Sequence, residues 1–80
     1  MNILIKYVMF NECFPVIFCA PVSHRAVAAS LQTDNHRVTS AGFIHNEKGE
    51  IVTYGESETL KGLGPSASDA RVIMKFLGMG

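Results

Sequence analysis

An 80-residue chain makes one small domain, residues 1–80, and a chain of this length buries only about 60–65% of the surface its unfolded form exposes, so its core is thin. Seven basic and seven acidic residues cancel to a formal net charge of zero, which argues against a domain that lives on phosphate contacts. At 48% hydrophobic and 18% charged residues, the composition is globular and excludes a disordered chain.

The first predicted element is a strand from Ile3 to Phe10. Asn11-Glu12 is a turn, and Phe14 to Cys19 is a second strand. Pro15 lacks an N–H and belongs at an edge or a non-bonded position. A two-residue turn sets Met9 opposite Phe14, Tyr7 opposite Val16 and Ile5 opposite Phe18. One face is then wholly apolar, while the other carries Val8, Phe10, Ile17 and Cys19 with only Lys6 charged. A strand with one wet face alternates apolar and polar residues, and this hairpin does not. A one-residue change of loop length shifts the pairing without changing that conclusion.

The same segment is apolar enough to raise the question of a membrane span. Lys6, Asn11 and Glu12 interrupt it, so no run reaches the ~18 apolar residues a span needs. On one strand, Cys13 and Cys19 stand about 20 Å apart at ~3.3 Å per residue, too far for a disulfide. The chain therefore reads as cytosolic, with free thiols acting as small, at least half-buried apolar side chains.

Pro21 ends the hairpin, and Ser23 is a good N-cap for a helix from His24 to about Gln32. His24, Val27, Ala28 and Leu31 form its buried stripe. After the polar break at 33–36, Arg37 to His45 is the third strand and Glu50 to Gly55 the fourth, joined by the hairpin signal "NEKG" at 46–49. A type I turn with a glycine bulge sets Ile44 opposite Val52 and Gly42 opposite Tyr54. The glycine-rich connector 55–65 leads to a last helix ending near Leu77. Ser66 and Asp69 open it as a capping box, and Ala70, Ile73, Phe76 and Leu77 are its buried stripe.

The order β-β-α-β-β-α defines an α+β fold, a mixed sheet of about four strands with both helices on one face. Two short helices cover one side of such a sheet, and the other side is left for a second chain. The apolar excess would exceed the few hundred Å² usual for a lone monomer.

No motif carries catalysis, and no cofactor signature is present. Neither cysteine has a base or helix N-terminus placed beside it by local pattern. His24, His36 and His45 show no spacing that juxtaposes two rings on a metal. "KGLGPSAS", 61–68, matches neither the P-loop nor the dinucleotide fingerprint and reads as a connector and cap. Glu47, Glu50, Glu56 and Glu58 form an acidic run, most simply a solvated hairpin rim. A nucleic-acid surface would need Arg25, Arg37, Lys61, Arg71 and Lys75 gathered together.

The segments "KYVMFNECFPVIF", "VSHRAVAASL", "VTSAGFI" and "SDARVIMKFL" resemble small uncharacterised accessory proteins of bacteriophages and prophages. The resemblance covers most of the chain from Lys6 onward and carries over no functional residue. It implies a non-enzymatic protein in the host bacterial cytoplasm that binds and blocks a host protein, as anti-CRISPR proteins do. The expected contact residues are Val8, Phe10, Ile17, Phe43 and His45 on the uncovered sheet face, with Glu47 and Glu50 on the acidic rim. The expected partner is a host protein or a second copy of the chain, with no membrane contact. On this reading, Phe10→Asp abolishes association and leaves a folded chain. A small nucleic-acid-binding module and a homodimeric structural protein are the alternatives.

Overall fold

The structure is a computed structural model and describes residues 4–79, so Ile3, the expected start of the first strand, lies outside the described residues. The expected element order is present: β1 (Ile5–Phe10), β2 (Phe14–Cys19), α1 (His24–Leu31), β3 (Val38–Glu47), β4 (Glu50–Tyr54) and α2 (Asp69–Phe76). The strands form one sheet in the order β2-β1-β3-β4, antiparallel at every pairing rather than mixed.

Both hairpin registers differ by one residue from those expected. Phe10 pairs with Phe14 and Tyr7 with Ile17, because three residues, not two, turn the chain between β1 and β2. Asn11 and Glu12 both take positive φ there. Asn11 is held in that conformation by its surroundings: its Oδ1 accepts from the Arg37 N–H at 3.0 Å, and its Nδ2 donates to the Asn35 carbonyl at 2.8 Å. Between β3 and β4 the reverse applies. Only Lys48 and Gly49 turn the chain, both at positive φ, which matches the twist of a two-residue hairpin. The Asn46 side chain accepts from the Gly49 N–H and closes the turn.

A shift of one residue exchanges faces. Cross-strand partners share a face, so Tyr7, Met9, Ile17, Ile44 and Ile51 lie on one side. They form a core with Ile73 of α2, against which Ala70, Val72 and Met74 also pack. Val8, Phe10 and Ala41 lie on the other side, and Val27 of α1 packs there with Leu60 and Leu63 of the connector. The two helices therefore cover opposite faces, not one. The face left for a second chain is in large part filled by this chain itself.

The predicted caps fare differently. Ser23 caps α1 by accepting from the Ala26 N–H at 3.1 Å. At α2 only half the capping box forms, because the Asp69 carboxylate reaches back to the Ser66 N–H while no serine side chain caps the helix. His24 and Ala28 are buried as expected, but Leu31 is exposed. The expected stripe of α2 is cut short: Ile73 is buried, whereas Phe76 is 56% and Leu77 is 48% exposed. Gly42 pairs with Tyr7, not Tyr54, and a Cβ there would stand 2.9 Å from Pro65, whose ring crosses the strand on its way to α2.

Candidate binding surface

The register of β3 and β4 places three cross-strand pairs on the α1 side of the sheet: Phe43 with Tyr54, His45 with Val52, and Glu47 with Glu50. Four of the seven expected contact residues, Phe43, His45, Glu47 and Glu50, are thus brought together on one continuous surface. Val52 and Tyr54 complete it. Sequence reasoning had set both on the opposite face, because a three-residue turn would have sent them there. The available signal was the dipeptide Lys48-Gly49 between two apolar runs, which fits the shorter loop.

Neither helix covers this surface. His45, Glu47, Glu50, Val52 and Tyr54 are exposed, and Phe43 is half-buried. A line of rings fixes it to the core. Phe18 and Phe43 meet the buried His24 edge-on, with centroids 5.4 and 5.3 Å away, and Tyr54 stacks on Phe43 at 5.6 Å. His24 Nε2 lies 2.8 Å from the Gly42 carbonyl oxygen. A carbonyl only accepts, so this nitrogen carries the proton and the ring is locked in place. The exposed Tyr54 is thus connected through Phe43 to the buried His24. At the tip, Glu47 and Glu50 are cross-strand partners, a like-charge pairing that gives the chain itself no benefit.

The remaining expected contact residues are elsewhere. Val8 is 0% and Phe10 2% exposed, both beneath α1 and the connector. They are core, and the expectation that Phe10 forms a contact surface is corrected. Ile17 lies on the opposite face with Tyr7 and packs against the α2 side of the core.

One polar cluster escaped sequence reading. Asp69, 1% exposed, accepts through Oδ2 from the Tyr7 hydroxyl at 2.6 Å, the Ser40 hydroxyl at 2.7 Å and the Ser66 N–H at 2.8 Å. It joins β1, β3 and the start of α2 at one oxygen. Burial, then the hydrogen bond to Asp69 and its negative charge, push the Tyr7 phenol well above its ordinary value of 10.0. The cluster is sealed between sheet and helix, out of reach of a substrate, and its geometry is that of a structural clasp. A usable signal existed: Ser40 lies on the same side of β3 as Gly42 and Ile44, and a buried hydroxyl needs a partner.

The other candidates are dispersed. Cys13 and Cys19 are free and exposed, not half-buried. Among the described residues no group of three His, Cys, Asp or Glu side chains is placed to hold a metal ion. The Ser66 N–H, which an anion at the 61–68 connector would use, is already taken by the Asp69 carboxylate. Arg25 is on α1 while Arg71 and Lys75 are on α2, so the cations of a nucleic-acid surface are split between opposite sides of the sheet. No helix among the described residues is long and apolar enough to cross a membrane. Comparison with protein families, with curated proteins and with solved structures found no match for this chain.

Proposed function

We propose that this chain is a non-enzymatic binding protein that acts by covering a surface of another protein, with the β3–β4 hairpin as its contact. One observation carries the reading: Phe43, Val52 and Tyr54 stand on one sheet surface that neither helix covers, with Phe43 packed on His24 and Tyr54 on Phe43, flanked by the Glu47–Glu50 pair. Rigid aromatic anchors surrounded by a polar rim are what protein contacts are built from. The acidic tip suits a partner with a basic patch beside an apolar one. The resemblance to phage and prophage accessory proteins supplies the class of partner, a host protein in the bacterial cytoplasm, and a defence complex fits that class.

The test is capture from bacterial lysate by the immobilised chain, with three versions compared. The wild type and Arg71→Ala should retain the same captured protein. Val52→Asp combined with Tyr54→Ser should lose it by at least about tenfold, while its circular dichroism stays native. Capture that survives the hairpin double variant, or that disappears equally with Arg71→Ala, would overturn the assignment.

A further inference from the structure

The two edges of the sheet are unequal. Along β2, even-numbered residues bond to β1, as the Ala20 N–H to the Leu4 carbonyl shows, so odd-numbered ones face outward. Pro15 removes one of those outward donors, a known protection of edge strands. β4 has no such device. Its two-residue turn makes Glu47 and Glu50 an exchanging pair, so Val52 and Tyr54 also bond inward to β3. The N–H and C=O groups of Ile51 and Thr53 then point away from the sheet. Among the described residues, neither makes a backbone hydrogen bond outside the sheet. Such a row accepts one kind of partner, another strand.

We propose that the other strand is β4 of a second copy, paired antiparallel about a two-fold axis at Val52. The residue pattern selects this register. With Val52 opposite its own symmetry mate, Ile51 and Thr53 exchange bonds with their counterparts, and the Glu50 carboxylate meets the Tyr54 hydroxyl of the second copy. A slip that centres the axis on Ile51 sets Glu50 against Val52. A slip that centres it on Thr53 carries Glu50 past the end of the partner strand at Tyr54. Only the Val52 register gives Glu50, the one charged residue of β4, a donor on the second copy. The result is an eight-stranded sheet in which both hairpins present their Phe43–Tyr54 face on the same side. The inference shares Glu50, Val52 and Tyr54 with the proposed contact, but it is read from the mass of the pure chain alone.

Light scattering on the purified chain should give twice the 8.7 kDa of one copy. Val52→Lys and Val52→Glu should each scatter as single copies, and their equimolar mixture should return to the doubled mass, since position 52 faces itself only in this register. Val52→Cys in a Cys13→Ser/Cys19→Ser background, which changes less, should oxidise to a covalent dimer, and Tyr54→Cys should not. A wild type that stays single, a lysine or glutamate variant that stays paired, a mixture that stays single, or a Val52→Cys chain that does not cross-link would each overturn the pairing. None of these results depends on capture of a host protein.

Discussion

Tyr7 and Val8 are neighbours in β1, both wholly buried, and they point into different kinds of interior. Tyr7 enters the α2 side, where a dry cluster of Met9, Ile44, Ile51 and Ile73 surrounds one polar clasp. Val8 enters the α1 side, where the packing is apolar beneath α1 and the connector, then gives way toward β4 to rings that run out into solvent. The α2 side is closed by chemistry that specifies one arrangement. The α1 side is closed only as far as a short helix and a loop can reach, and the uncovered remainder is where binding is proposed.

The sharpest way to break this comparison is to put the same charge at both ends of the α1 side. Phe10→Asp places a carboxylate among Val8, Ala41, Val27 and Leu63 with no partner. Loss of the ring alone costs about 3–5 kcal/mol, and the buried charge adds to it. A domain of this size holds roughly 4–12 kcal/mol in total, so the variant should be unfolded by circular dichroism. Val52→Asp, on the same face and exposed, should leave a chain with native circular dichroism. A folded Phe10→Asp chain would mean that this side is not a core.

On the α2 side, Asp69→Ala strips the acceptor from Tyr7, Ser40 and Ser66 together. Hydrogen bonds to a charged group are worth about 1.5–3 kcal/mol, and orphaned buried donors cost about as much. The urea midpoint should fall by the equivalent of about 3 kcal/mol at unchanged slope. Asp69→Asn, which keeps one carbonyl acceptor, should lose about half of that. Equal losses for the two variants would show that the charge, not the acceptor geometry, makes the clasp.

Local signals carried most of what sequence reading achieved. Ser23 before an apolar stripe, Pro15 in a strand and the polar 46–49 segment each state a short-range preference, and each element formed within a few residues of its expected bounds. What was hidden depends on distance. The face a helix covers is not written in its own stripe: α1 joins β2 to β3 across the intervening β1, and that crossover decides its side. Loop length hid the rest. One residue more after Phe10 and one fewer before Glu50 moved Ile17 off the α1 side and brought Val52 and Tyr54 onto it. Asp69 was legible as a cap but not as a clasp, because its partners stand 62 and 29 positions away.

The weakest probe of the comparison is pH, and it reaches only the α2 side. The folded state holds the Tyr7 proton more tightly than the unfolded chain does, through burial first and then Asp69. A group whose folded pKa is raised contributes its full stability below its unfolded value, here 10.0, and loses it as pH climbs above that value. Above pH 10 the unfolded chain sheds this proton while the folded one keeps it. Stability should therefore fall by up to about 1.4 kcal/mol per pH unit from this group alone. Tyr7→Phe removes the titration and should flatten that part of the limb, at the cost of a lower plateau near neutrality from the lost hydrogen bond. Urea midpoints taken from pH 8 to 11 on both proteins measure it. Parallel curves would mean that Tyr7 opens to solvent before the sheet does, and that the two sides of β1 are less different than their burial implies.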